Sequence, residues 1–266
     1  MNVFSDKSFL ADQYQNTANL NARIALHVRF SENTYGWFAW IYDQLTLAEK
    51  SSILELGCGS GELWRGNQDR LPPGLELILS DFSAGMAVQA RRNLAQLHQG
   101  CHIAVVDAQA IPFKDNRFSA IIANHMLYHV PDRERAFAEI RRVLCPGGCF
   151  YATTIGERHL VEINELVWQV DPELAAEFYW GSNGFTLENG AGELARWFSA
   201  VQLVCYPDRL LVTEAAPLAD YILSSVKSSA DYQRRESLIA FIQSRLDDTG
   251  VIEITKNSGM FIASKS

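Results

Sequence analysis

Long apolar runs are missing from this sequence. Nowhere do about 18 apolar residues follow one another, so it offers no membrane-spanning helix. The stretch MNVFSDKSFLADQYQ lacks the positive and then apolar pattern of a secretory signal, and a cytoplasmic protein is expected. Cysteine is sparse: Cys58, Cys101, Cys145, Cys149 and Cys205 are odd in number and scattered, which suits a reducing compartment better than a disulfide framework. Cys145 and Cys149 flank Pro146-Gly147-Gly148, but no further Cys or His stands at ligand spacing, so no metal is expected. Basic charge is also short. With 23 Lys and Arg against 31 Asp and Glu, the net charge of −8 gives no electrostatic reason to seek nucleic acid or anionic lipid. No period of about 20–50 residues recurs, which excludes solenoids and propellers.

What is present is a hydrophobic fraction of 48% in 266 residues, enough for one sizeable core with additions. From 51 to 154 short apolar runs alternate with helical patterns. "SILELG", "LELILSD", "HIAVVDA", "FSAIIAN" and "CFYATT" read as five strands. Between them, Leu63 to Arg70 reads as a helix, Ser83 caps a second through "GMAVQARRNLAQLH", and Asp132 caps a third, "RERAFAEIRRVL", which Pro146-Gly147-Gly148 stops. Nearly continuous apolar strands between helices predict a parallel sheet covered on both faces, an α/β doubly wound fold. Ligands bind such sheets outside the carboxyl ends of the strands, where Gly57 to Gly61, Asp81, Asp107 and Asn124 fall.

After 154 the rhythm changes. Residues 157–182 and two stretches within 215–247 read as helices forming a cap, and "VQLVCY", "RLLVT", "VIEIT" and "MFIAS" as strands completing the sheet. The expected division is a lid at 1–46, a core at 47–154, a mainly helical cap at 155–199, and sheet-completing strands with further cap helices at 200–266. Six aromatics, Phe30, Tyr35, Trp37, Phe38, Trp40 and Tyr42, crowd the end of the first segment. They suffice to cover one wall of a pocket or to pack the segment onto the core. Trp168, Phe178, Tyr179, Trp180 and Tyr221 are further candidate walls.

The stretch "ILELGCGSGELW" decides what the sheet holds. A phosphate-binding loop needs Lys-Ser/Thr after its last glycine, but Gly61 is followed by Glu62-Leu63. A dinucleotide fingerprint needs a third glycine or alanine three residues after the second; counting from Gly57 or Gly59 meets Glu62 or Trp64 instead. The pattern E-x-G-x-G-x-G at 55–61 resembles the first motif of class I S-adenosylmethionine-dependent methyltransferases. Their cofactor carries a sulfonium and an ammonium, which suit close backbone and nearby carboxylates.

Four further segments resemble the same family in order. "SDFSAGM" places Asp81 24 residues after Gly57, "VVDAQAIPF" lies at 105–113, and "FSAIIANHMLYHVPD" and "LCPGG" follow. The resemblance is to its small-molecule branch, the ubiquinone/menaquinone methyltransferase-like group. It implies a Rossmann-like, seven-stranded, mainly parallel sheet with a helical cap. It implies Asp81 on the ribose hydroxyls, Asp107 and the Ala108 backbone on the adenine, and Met86 packed against that ring. Glu55, Gly57, Cys58, Gly59, Gly61, Phe82, Gln109, Asn124 and His125 complete the implied cofactor contacts, with S-adenosylhomocysteine as product. In the segment at 1–46, Tyr14 and Arg23 are candidates for a lid over the cofactor, competing with a solvated helix face.

Methyl transfer needs an aligned nucleophile and exclusion of water, and a base only where the nucleophile keeps its proton. His125 and His129 are the candidate bases, competing with a role in lining the pocket. Asn124 is followed by His-Met-Leu, so the N/D-P-P-Y/F motif of base-modifying enzymes is absent. The expectation is a small-molecule methyltransferase whose acceptor atom, O, N, C or S, the sequence leaves open, with an aromatic or apolar acceptor favoured by the aromatic-rich cap and lid. A protein or RNA methyltransferase, and a non-catalytic cofactor-binding sensor or scaffold, stay open; a nicotinamide-dependent oxidoreductase fits the glycine spacing badly. The oligomeric state is not legible.

Overall fold

The computed structural model describes residues 17–97, 100–177, 184–225 and 232–266. Their contacts divide the chain into two compact units: Tyr35–Gly156, Gly184–Tyr206 and Ser258–Ser266 form one, and Met1–Thr34, Glu157–Asn183 and Pro207–Asn257 the other.

The sheet has the strands β1 (Ser52–Leu56), β2 (Glu76–Asp81), β3 (Cys101–Val105), β4 (Phe118–Asn124), β5 (Leu144–Ile155), β6 (Ser199–Val212) and β7 (Ile252–Ser264), in the order β3-β2-β1-β4-β5-β7-β6; β1 to β5, β6 up to Tyr206 and β7 from Ser258 belong to the first unit. The pairings β1 with β2 and β4, β2 with β3, and β4 with β5 are parallel, and β7 joins β5 antiparallel. This is the α/β doubly wound, Rossmann-like arrangement. The chain steps outward from β1 to β3 and then returns to place β4 on the other side of β1. The crevice beyond the β1 and β4 carboxyl ends is therefore the switch point where such sheets take ligands.

Residue alternation in the strands separates two cores. Leu54, Leu56, Ile121, Ala123, Phe150 and Ala152 pack with Phe137 and Ile140 of the helix Arg133–Val143. Ile53, Ala120, Ile122 and Tyr151 pack with Ile41 of the helix Trp37–Gln44 and Ala90 of the helix Ala84–Asn93. The caps follow local chemistry: Ser83 Oγ accepts from the Met86 N–H at 3.4 Å, and Asp132 from the Arg135 N–H at 3.0 Å.

Several boundaries differ from the sequence reading. The helix expected over 63–70 is a turn of helix, Glu62–Arg65, with Gly66 at its end and a 3-10 turn at Gln68–Arg70. β5 begins at Leu144 rather than after the glycines, because a bulge absorbs them: Phe118 pairs with Leu144 and Ala120 already with Cys149. The four tail strands are two. β6 runs through Pro207, which an outermost strand tolerates because one of its edges needs no N–H donor. β7 runs through Gly259, where a Cβ would lie 2.8 Å from the Val204 carbonyl oxygen.

Residues 184–206 pack with the sheet: the helix Gly190–Leu194 buries Leu194 beside Phe185, Leu187 and Phe198. The second unit contains the helices Thr17–Phe30, Val161–Val170, Pro172–Glu177, Ala215–Ser224 and Tyr232–Thr249. Its core joins Leu26, Phe30, Ile163, Val167, Leu218, Ile222 and Ile242. Among the described residues no helix is long and apolar enough to cross a membrane.

Candidate active site

The glycine loop follows β1 and is tied to β2 at once, the Cys58 N–H donating to the Ser80 carbonyl at 2.8 Å. Gly57, Gly59 and Gly61 have φ of 71°, 54° and 82°, the left-handed region that side chains resist. At Gly57 space is also short, since a Cβ would lie 2.7 Å from Met126 Cβ. At Gly59 the same construction meets nothing within 4 Å. Backbone there borders open space at the end of the strand, as a ligand of the loop requires.

Asp81, the last residue of β2, stands beside that space. Its Oδ2 accepts the Gly59 N–H at 3.0 Å and its Oδ1 the Ser83 N–H at 2.8 Å. Burial raises its carboxyl above the ordinary range, against the pull of those two N–H donors. A carboxylate so held is a fixed acceptor, able to take further hydroxyl donors while restraining the loop.

Glu55, counted from its motif among the cofactor contacts, has a different placement. Alternation along β1 turns it toward the helix Glu62–Arg65, where it is 1% exposed and accepts Trp64 Nε1–H at 2.6 Å. Burial pushes its carboxyl up to about 7, the Trp64 hydrogen bond opposing and the Asp81 charge adding. It braces the loop's helix from within the core. Cys58 is buried and its thiol is pushed far up by burial, so it presents no thiolate.

Asp107 closes a turn after β3 with a bridge to Ala110. Its Oδ1 accepts the Gln109 N–H at 2.9 Å and Gln109 Nε2–H at 3.0 Å, and Gln109 Oε1 accepts the Asp132 N–H at 3.2 Å. Ala108 is buried within this turn, Phe82 is half exposed beside Asp81, and Met86 is half-buried on the first helical turn beyond.

Beyond β4 the chain turns sharply, with His125 at φ 50°. Thr153 of β5 ties this corner: its hydroxyl donates to Asn124 Oδ1 at 2.6 Å and accepts the His125 N–H at 2.9 Å. The His125 ring lies 5.0 Å from Trp37 and 6.3 Å from Tyr128. Trp37 also meets Trp40 at 5.1 Å and Tyr206 at 5.2 Å, so the aromatic run before β1 builds a wall beside His125. His129 ends the 3-10 turn Leu127–His129, its ring 4.5 Å from Tyr128.

Thr153 and Tyr206 were not singled out in the sequence. Thr153 is one of two adjacent threonines near the end of β5, which the sequence alone does not tell apart, and Tyr206 meets the wall only through the sheet order. Other candidates are not gathered here. Tyr14, Phe178, Tyr179 and Trp180 lie outside the described residues, and Arg23 is on the helix Thr17–Phe30 of the second unit. In that unit Arg29 pairs with Glu214, Tyr221 is buried, and Trp168 is half exposed. Among the described residues no group of three or more His, Cys, Asp or Glu is placed to hold a metal.

Comparison with known proteins bears on this geometry. Residues 54–152 match the family described as "Methyltransferase domain". A malonyl-[acyl-carrier protein] O-methyltransferase of Geobacter sulfurreducens is 34% identical over 115 residues, 43% of this chain and 42% of that protein. A ubiquinone/menaquinone biosynthesis C-methyltransferase of Hahella chejuensis is 31% identical over 114 residues, 42% of this chain and 46% of that protein. The chain thus matches less than half the length of either curated relative. Among solved structures, the methyltransferase in complex with the Haloferax volcanii Trm112 activator has a TM-score of 0.61 at 17% identity, covering 95% of this chain and 96% of that one. A Haemonchus contortus phosphoethanolamine N-methyltransferase 2 in complex with S-adenosyl-L-methionine has 0.59 at 21%, covering 97% and 59%. At these identities the structural likeness shows the fold alone.

Proposed function

We propose that this chain, whose residues 54–152 match the family described as "Methyltransferase domain", is a class I methyltransferase that transfers a methyl group from S-adenosylmethionine to a small aromatic or apolar acceptor. The observation that carries the reading is the Asp81 carboxylate, held by the Gly59 and Ser83 N–H groups at the switch point, beside glycine backbone with open space above it.

The residues present fit such a cofactor. Asp81 would accept both ribose hydroxyls, and the turn Asp107-Ala108-Gln109 would meet the adenine edge, with Phe82 and Met86 against its face. Gly57, Gly59 and Gly61 would let the backbone approach the methionine portion. Glu55 would act at one remove, by fixing Trp64 and the helix that follows the loop. When bound, the cofactor supplies an electrophilic methyl on a sulfonium that leaves as a neutral thioether. The protein's work is then to align the acceptor and keep water out.

Asn124, His125 and His129 stand at the reacting end, where an imidazole can line the pocket or take a proton from an acceptor that retains one. The wall of Trp37, Trp40 and Tyr206 supports a flat or apolar acceptor, and the net charge of −8 supports a small molecule over RNA. The proposed location is the cytoplasm.

The test is incubation with methyl-labelled S-adenosylmethionine and a panel of phenols, quinols, amines and fatty thioesters. Label in an organic-extractable product supports the proposal. Label that enters only added protein or RNA overturns the acceptor class.

A further inference from the structure

Thr153 bonds both to the end of β4 and to the corner beyond it. Parallel register sets it opposite Asn124, and it is 0% exposed. A hydroxyl has one donor and accepts readily. Here the donor goes to Asn124 Oδ1 and the oxygen accepts the His125 N–H. Side chain and backbone of two successive residues are thus joined to one buried atom.

The corner needs such a restraint. At φ 50° the His125 Cβ is crowded by its own backbone, and a residue stays there only where its surroundings over-determine it. Two other contacts contribute. Trp37 lies along the His125 ring at 5.0 Å and 32°, and Met126 occupies the space that a Gly57 side chain would need. The corner is therefore gripped by β5, by the aromatic wall and by the glycine loop. Of the three, β5 acts through Thr153 on the strained residue's own backbone.

We infer that Thr153 is a positioning residue, fixing the His125 imidazole at the reacting end of the crevice through its hydroxyl. What that imidazole does there rests on the methyltransferase reading; that Thr153 holds it does not. Valine has the shape of threonine without the hydroxyl, and serine has the hydroxyl without the methyl group.

The test compares Thr153→Val and Thr153→Ser for acceptor kcat and KM, cofactor Kd, and the carbon-proton resonances of His125 in histidine-labelled protein, assigned with His125→Gln. Misplacing a group by about 1 Å can cost about 100-fold. Thr153→Val is expected to lower kcat by about that factor, with cofactor Kd within about twofold, and to move the His125 resonances. Thr153→Ser is expected to restore both. Unchanged kcat and resonances in the valine variant, or a serine variant no better than valine, overturns the inference.

Should the valine variant not fold, the unsubstituted protein still decides. Its His125 amide, bound to a buried oxygen, is expected to exchange slowly with solvent, and fast exchange overturns the inference. A protein that binds no S-adenosylmethionine would sink the methyltransferase reading while leaving the resonance and exchange results to judge Thr153.

Discussion

Replacing Glu55 by glutamine should stabilise the protein progressively as pH rises from 4.5 to about 7. Its carboxyl is 1% exposed, against an indole N–H at 2.6 Å, and burial raises it from an ordinary 4.5 to about 7. The folded state therefore binds a proton more tightly than the unfolded chain. The stability from the neutral acid is fully present below pH 4.5 and is lost as pH rises through about 7. At about 1.4 kcal/mol per pH unit over that interval, ionisation costs about 3 kcal/mol once complete. Glutamine keeps an acceptor for Trp64 and never ionises. Denaturant unfolding at pH 4.5 should show nearly equal stabilities for Glu55→Gln and the parent. At pH 8 the variant should be more stable by about 2–3 kcal/mol, with Trp64 fluorescence as a local probe. A gap that is the same at both pH values would refute the reasoning, because it would mean that Glu55 ionises in the fold as it does in water.

Two other outcomes follow from packing and titration. Gly61→Ala combines a φ of 82° with a Cβ 2.6 Å from Leu94 Cδ1, so it should destabilise by about 2–4 kcal/mol in calorimetry. An unchanged Tm would show that Leu94 and the loop yield easily. His27, in the helical unit, has an Nδ1 without accessible surface or a hydrogen-bond partner, and lies edge-on to Tyr221 at 5.8 Å. Burial, aided by the Lys256 charge and opposed by Asp208, lowers its pKa to about 4 from 6.5, so the fold favours the neutral ring. The stability this gives is present above pH 6.5 and is lost as pH falls toward 4, by about 3 kcal/mol. His27→Phe should flatten that acid slope, and a slope as steep as the parent's would refute the assignment.

Much of the architecture was legible because its causes are local. "FSAIIAN" coincides with β4, and Asp132 caps the helix "RERAFAEIRRVL" begins, since periodicity and capping are properties of neighbouring residues. The misreadings arose where distant partners decide. Pro207 reads as a strand break until the sheet order shows β6 at the edge, and Gly259 reads as a turn until β6 passes close to it. In the site, Asp81 at the end of β2 could be read from spacing. For Glu55 a motif states which residue stands there, not which face of the strand it occupies. Its bond to Trp64 needs the helix folded back on β1. The Thr153 link needs β4 and β5 in register across 29 residues of sequence. No local pattern carries either contact.

The central claim is that the glycine loop and Asp81 hold S-adenosylmethionine. Isothermal titration of the protein with S-adenosylmethionine, S-adenosylhomocysteine and NAD, alongside Asp81→Ala, tests it most directly. Micromolar binding of the first two is predicted, with no NAD binding and a loss of at least about tenfold in the variant, as removal of charge-assisted hydrogen bonds implies. Binding of NAD alone, or S-adenosylmethionine binding that Asp81→Ala leaves intact, would contradict it.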